Sequence, residues 1–512
     1  MDNELKMKKL GLNLVCLIIV IVGPAILYLL TLAPTILWEE SAGWTLSVQQ
    51  QEIDFFKSAA HGLHTILGIL FSQIPFISSD LAYSQNFMSA FFGWLALLML
   101  YAILFKLTGL PIAALIGTIS LAVSQLFWHL SVITEVYSLF AFFTFLQIYI
   151  LLSWRQSQRF YWLGLLGLAL VGGLLVHTMT ILFIPFFAIW VYYWSRQKKL
   201  VLILLSIIML SGFIFFIFTT PGQNIGHHFI TRTKLVFNNY IIPAQLPTQL
   251  LLYPFYLFYQ FPLIGLFIGV LGILNCWKKD RSLLVFLSSL FISNIMLSSI
   301  SYLRRAPYHA LISYLVWAIM VGYGWPFVQE YFKNKRRSII ILIGLIILLP
   351  FLLYYLIPRW ANQFNIELTP LARRIPAGST NTYYLRPAKR HYTQTAQFVQ
   401  EIIANLPTEP GIIFTEINVS APLQYYINKG EKISPQLVLP DDLFGEPKVV
   451  IWQRIQALIE SNLQRGRKAY LTNEKNFVVI TQKKEYFNIV PLIKNEYQLT
   501  RHGNYLWEIT FK

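Results

Sequence analysis

Apolar runs of about twenty residues recur through the first 357 positions, parted by short polar turns. A chain patterned this way has few folding options besides a bundle of membrane-crossing helices, because lipid satisfies no backbone hydrogen bond. The runs fall roughly at 10–32, 83–105, 108–127, 129–153, 160–176, 178–195, 200–219, 255–275, 282–300, 308–328 and 338–357, about eleven spans. Only 12% of residues are charged, roughly half the share of a soluble domain. The first run follows basic residues as in a signal peptide. It is long for one, and no small-x-small cleavage site follows, so it reads as a retained span. Cys16 and Cys276 both fall in or beside apolar blocks, which assigns them neither a disulfide nor a metal.

The net charge of +17 would suggest nucleic acid in a soluble protein. Here much of it sits in short loops, where basic residues set orientation and meet anionic lipid. With the N-terminus inside, Lys6, Lys8, Lys9, Lys106, Arg155, Arg159, Arg196, Lys198, Lys199, Lys278, Lys279, Arg281, Lys333, Lys335, Arg336 and Arg337 all fall inside. The outer loops hold only Lys57, Arg232, Lys234, Arg304 and Arg305. The bias agrees with an odd number of spans and puts the C-terminal residues outside.

After Pro358 the composition changes. Helical periods at 394–406, 422–428 and 450–463 alternate with short apolar strands at 411–415, 436–439, 469–472, 477–481 and 507–511. The expected division is a membrane domain over 1–358 and a small extracytoplasmic α/β domain over 359–512. The tail shows no glycine-rich phosphate loop and no nucleophile elbow, so it reads as a binding or scaffolding lobe. Arg373, Arg374, Arg386, Lys389 and Arg390 precede it and suit a headgroup or a lipid-linked phosphate.

The ionisable residues of the apolar part gather on one side. Glu39, Glu40, His61, His64, Glu135, His177, Arg304 and Arg305 all map at or near the outer face. Each alone is explained by a headgroup or helix-cap contact, whereas a cluster on one face marks a cavity or pathway. Residues 44–62 read as a helix on the membrane surface and 64–76 as a re-entrant or interfacial one. A partly buried carboxylate at that surface can act as a general base. Glu40 is preferred over Glu39, because Glu40-Ser41 lies nearer the turn at Gly43. The other reading is that both glutamates mark the water boundary of the first span. Arg304-Arg305 breaks the inside bias and suits a phosphate; a tight turn between spans would also explain it. Glu135 is expected one to two turns into the fourth span, with chemistry and a structural hydrogen bond equally good readings. His61 and His64 are spaced to share a helix face and even a metal. Lacking a clear third ligand, one of them reads better as a hydrogen-bond donor. His177 is placed to face the same cavity. The loop 220–254, with His227 and His228, either covers the site or is an ordinary surface loop.

Four stretches resemble the GT-C class of polytopic glycosyltransferases, and within it the protein O-mannosyltransferase-like family. Leu32-Ala33-Pro34-Thr35 to Trp38-Glu39-Glu40-Ser41 is similar to the family's Leu-Ala-Pro-Thr … Trp-Asp-Ser-Gly-Glu. Ala60-His61-Gly62-Leu63 is similar to its Ala-His-Pro-Pro-Gly. Ser124 to Trp128 and Thr134-Glu135-Val136-Tyr137 resemble Ser-Pro-Thr-Phe-Trp … Ala-Glu-Val-Tyr, and Gly173 to Thr178 resembles a glycine-to-histidine stretch. The likeness is weaker at 308–324 and 410–426. It implies a first-loop acid as the catalytic carboxylate, falling on Glu40, a polyprenyl- or dolichyl-phosphate sugar donor, and inversion at the sugar. Here glutamate replaces aspartate, and the two prolines after His61 and the second acid of the opening motif are missing.

The expected function is transfer of a mannose-like or related hexose from a polyprenyl-phosphate donor to an extracytoplasmic acceptor, a protein hydroxyl or cell-surface glycan. Glu40 or Glu39 would be the base. His61, His64, Glu135, His177, Arg304 and Arg305 would bind substrate. A divalent metal is neither required nor excluded. Membrane lipid is an expected partner and nucleic acid is not. The location is a cytoplasmic membrane of bacterial or archaeal type. The alternatives are a transporter or flippase of a lipid-linked sugar, which should carry charges near the bilayer midplane, and a non-catalytic assembly protein.

Overall fold

The computed structural model describes residues 2–53, 61–75, 77, 80–199, 246–300, 306–333, 335–368, 375–406, 409–430, 435–438, 446–475, 477–480 and 486–512. It is mostly helical. α1 (Asp2–Thr31) leads into the first loop, which carries α2 (Glu40–Gln49) and α3 (Gly62–Ser72). Then follow α4 (Leu81–Thr108), α5 (Pro111–Ala122), α6 (Gln125–Ser131), α7 (Tyr137–Ser157), α8 (Tyr161–Val176) and α9 (Thr180–Trp194). The apolar part continues as α10 (Leu246–Gln260), α11 (Ile264–Lys279), α12 (Arg281–Ile300), α13 (Ala306–His309), α14 (Leu311–Tyr331) and α15 (Arg336–Gln363).

Six of these helices are individually long and apolar enough to cross a membrane. Two bent pairs raise the number to as many as eight: α5 with α6 turns by 71°, and α10 with α11 by 107°. Among the described residues, six to eight of the expected eleven are thus long and apolar enough to span. α8 and α9 are apolar but too short to count by themselves, and the run at 200–219 lies outside the described residues. The fourth expected span also starts later, at Tyr137 rather than 129. Residues 132–136 form a break instead of helix, tied down by the Ala33 N–H donating to the Val132 carbonyl at 3.0 Å.

α14 is the central helix, buried along nearly its whole length, whereas α1 and α15 leave most of their apolar surface exposed, as lipid permits. Small residues let α14 approach its neighbour. A methyl on Gly272 would run into the Met320 carbonyl, and one on Gly324 into the Ile268 carbonyl. Arg155 of α7 clamps Asp280, ahead of α12, with two hydrogen bonds of 2.6 and 3.1 Å, its guanidinium lying over Trp194 of α9.

Past α15 come α16 (Thr380–Leu385) and α17 (Gln394–Asn405), then an α/β unit. Its strands are β1 (Gly411–Phe414), β2 (Pro435–Val438), β3 (Lys468–Leu471), β4 (Val478–Ile480), β5 (Tyr486–Asn488), β6 (Tyr497–His502) and β7 (Leu506–Phe511). Five strands form one sheet in the order β2-β1-β3-β7-β6, with the first three parallel and the last two antiparallel; β4 and β5 make a separate hairpin. Three helices alternate with the strands: α18 (Ile417–Asn428), α19 (Lys448–Gln464) and α20 (Val490–Glu496). α19 turns Ile451, Ile455 and Ile459 inward, one per turn, as its sequence period requires.

The sheet unit meets the first loop through α18. The Gln49 amide donates to the Tyr425 carbonyl at 3.1 Å, and Asn428 donates back to Gln49 at 3.2 Å. Lys429 pairs with Asp80 at 3.1 Å, just ahead of α4.

Candidate active site

The first loop enters at Trp38, whose side chain is fully buried. Its indole N–H donates to the Tyr392 hydroxyl at 2.8 Å, and its ring meets Phe398 edge-on. The next residue, Glu39, has φ 60° and ψ −136°, a conformation that side chains with a Cβ rarely adopt. Holding such a backbone costs about 1–3 kcal/mol and persists only where the surroundings over-determine it. Glu39 caps α2, its carbonyl accepting from Gly43 N–H at 3.2 Å, and Glu40 is the first helical residue. Both carboxylates are half-buried.

Glu135 lies in the 132–136 break, just before α7 begins. Its backbone exchanges hydrogen bonds with the Ser89 hydroxyl, at 3.1 and 3.3 Å. Asn86 completes the wall: it donates to the carbonyls of Ala33 and Thr35 and accepts from Thr134 at 2.7 Å. Glu135 is thus buried at a helix break rather than within a helix, where its side chain sits among the same tyrosines as the loop glutamates.

Those tyrosines were not singled out by the sequence. The Tyr384 hydroxyl hydrogen-bonds the Glu39 carboxylate. Tyr308 feels Glu39, Glu135 and Glu40, and Tyr383 feels Glu39 and Glu135. Burial first, then these carboxylates, preceded at Tyr383 by the Tyr392 phenol, hold all three phenols well above their ordinary range, so they stay neutral hydrogen-bond donors. The Tyr383 hydroxyl also donates to the Trp38 carbonyl at 3.4 Å. Lys389, buried beneath them, donates to the carbonyls of Tyr383 and Arg386, each at 2.5 Å. A cluster of tyrosines drawn from two distant sequence segments leaves no spacing signal to find.

The expected histidines form the adjoining wall. His61 caps α3 and donates from Nδ1 to the Val176 carbonyl. Its ring lies 5.1 Å from that of His177 and 4.5 Å from Trp44. His177 accepts the Met179 N–H on Nδ1 at 3.1 Å, which leaves Nε2 to carry the proton of its neutral ring. Tyr137 joins the two walls, 5.3 Å from His177 and 6.0 Å from Tyr308. The imidazoles of His64 and His129 are buried with no hydrogen-bond partner among the described residues. Buried polar groups of that kind call for a ligand or water. The structure thus brings Glu39, Glu40, Glu135, His61, His64 and His177 to one end of the bundle. Arg304 and Arg305 lie outside the described residues, as do residues 220–245 of the expected loop 220–254; its remainder, 246–254, is not loop but the start of α10. Among the described residues no three His, Cys, Asp or Glu side chains are placed to hold a metal.

Two solved structures share this architecture. ArnT from Cupriavidus metallidurans, bound to undecaprenyl phosphate, matches with a TM-score of 0.55 and 9% identity over 96% of this chain and 97% of that one. The archaeal oligosaccharyltransferase AglB from Archaeoglobus fulgidus, in complex with an inhibitory peptide and a dolichol-phosphate, matches with a TM-score of 0.52 and 12% identity over 98% of this chain and 74% of that one. At such identities the likeness is one of fold. Together with the apolar helices, it describes an integral membrane protein with a GT-C-like fold. Residues 58–201 match the family model described as Protein O-mannosyl-transferase TMEM260 N-terminal domain. No curated protein matches the chain by sequence. Over residues 58–201 the chain is similar to that domain.

Proposed function

We propose that this protein transfers a hexose from a polyprenyl-phosphate carrier to an acceptor hydroxyl on the outer side of the membrane. The observation that carries the reading is the meeting of Glu39, Glu40 and Glu135 with neutral tyrosine donors at the rim of a GT-C-type bundle. The solved neighbours hold lipid phosphates, which supports a lipid-linked donor. A donor delivered from the bilayer also accounts for a site at the ends of apolar helices.

In the proposed reaction a carboxylate of the Glu39–Glu40 pair accepts the proton of the acceptor hydroxyl. The oxygen attacks the anomeric carbon as the bond from that carbon to the phosphate oxygen breaks. The sugar inverts, and the phosphate leaves on its lipid with the bonding electrons. Sequence spacing favours Glu40 as the base. The hydrogen bond from Tyr384 and the constrained backbone favour Glu39. Glu135 and the histidines would orient the sugar through hydrogen bonds. Arg304 and Arg305 would meet the phosphate, as their departure from the inside charge bias suggests. The acceptor side is outside, with residues 359–512 forming an extracytoplasmic lobe over the site.

The reading is tested by incubating purified protein in proteoliposomes with radiolabelled polyprenyl-phosphate hexoses and a hydroxyl-bearing peptide or glycan. Covalent label on the acceptor is expected. Movement of labelled lipid across the bilayer without transfer would replace this reading with a transporter.

A further inference from the structure

Both ends of the strained first-loop segment are held by residues more than 340 positions downstream. On its N-terminal side, Trp38 is bound by Tyr392 and Tyr383. Tyr383 and Tyr384 are anchored in turn, through Lys389 on the Tyr383 carbonyl and the Gln125 amide on the Tyr384 carbonyl at 2.5 Å. The Lys389 N–H donates to the Thr31 carbonyl at 2.8 Å, fastening this segment to the end of α1. On the other side, α2 is held by α18 through Gln49. A residue in the Glu39 conformation, left to itself, relaxes toward ordinary backbone angles and carries its carboxylate elsewhere.

We propose that the stretch 383–392 is the positioning element of the first-loop carboxylates, and that the Tyr384 hydroxyl fixes the orientation of the Glu39 carboxylate. Tyr384 is a positioning residue: it acts through Glu39 rather than on substrate. This rests on the proposed transfer function only for its consequence in catalysis; the geometric part stands separately. The charged and titratable groups facing Glu39 are Glu40 on its own helix, Glu135 from the break before α7, and Tyr308, Tyr383 and Tyr384. His129 lies against Tyr308 and Tyr383, and the Lys389 ammonium bonds the Tyr383 and Arg386 carbonyls, the Arg386 guanidinium lying over Tyr355.

The test compares full-length wild type with Tyr384→Phe in lipid nanodiscs by infrared titration of the carboxylates, using Glu39→Gln to assign the band. A hydrogen bond to the ionised form lowers a carboxylate's pKa. Its loss in Tyr384→Phe should raise the Glu39 midpoint by about one unit. An unmoved midpoint overturns the proposal, whether or not the protein transfers sugar. In the transfer assay the same variant should lose about ten- to a hundredfold in kcat with the donor KM unchanged. The acid limb of its pH–rate profile should move up. A wild-type rate and limb in Tyr384→Phe would overturn the proposal while transfer stands. A wild type without transfer would sink the function, leaving the infrared midpoint to decide the positioning role.

Discussion

The Trp38 indole and the Tyr392 hydroxyl meet at 2.8 Å although 354 residues separate them. One stands immediately before the first-loop carboxylates; the other belongs to the segment that follows the last apolar helix. Removing the phenol oxygen with Tyr392→Phe leaves a buried indole N–H without its acceptor, a loss of about 1–3 kcal/mol. The melting temperature of the purified variant should fall by a few degrees, with a parallel loss of the proposed transfer activity. An unchanged midpoint would mean that water replaces the phenol without cost.

Close approach of α11 and α14 leaves no room for a methyl group at Gly272 or Gly324. Gly272→Ala and Gly324→Ala should each push these helices apart at a cost of about 1–3 kcal/mol. Yield of monodisperse protein in detergent should drop in both. Gly164→Ala is the control, because nothing lies within 4 Å of its added carbon.

Arg155 and Asp280 form a bidentate pair that joins three helices, with each side chain about one quarter exposed. Arg155→Lys keeps the charge and loses the fork and the stacking over Trp194. It should destabilise the bundle by about 1–3 kcal/mol, read as a lower melting temperature in detergent. A variant as stable as wild type would show that charge alone suffices.

Glu416 follows β1 and is pushed up to about 7, first by burial, with the Asn473 amide opposing. A carboxyl whose folded pKa exceeds its unfolded value favours folding most while protonated. Its contribution is complete below about pH 4.5 and is lost as pH rises to about 7. Wild type should therefore lose stability between these values, and Glu416→Gln should flatten that slope and melt higher at pH 8. Equal pH slopes in the two proteins would contradict the assignment.

The apolar blocks of the sequence lead directly to the bundle, since twenty-residue runs leave lipid-compatible helices as the solution. The parallel strands at 411–414, 435–438 and 468–471 were legible from short apolar runs beside amphipathic helices. β6 was not: in Tyr497–His502 polar residues fill a strand at the edge of the sheet, where alternation with a buried face is weak. The break at 132–136 was hidden because Val132, Ile133 and Val136 continue the apolar run on either side, and only tertiary contacts with Ala33 and Ser89 reveal it. The site was half legible. Charges at a membrane rim stand out, so Glu39, Glu40, Glu135 and the histidines could be singled out as candidates. Neutral tyrosines do not stand out, and Tyr308, Tyr383 and Tyr384 emerge only where the chain returns to the first loop.

Transfer of label from a radioactive polyprenyl-phosphate hexose, compared among wild type, Glu39→Gln and Glu40→Gln in purified membranes, tests the loop carboxylates most directly. Wild type should label its acceptor, and at least one of the two variants should lose about a hundredfold or more while folding normally. Full transfer by both variants would contradict a base in the first loop.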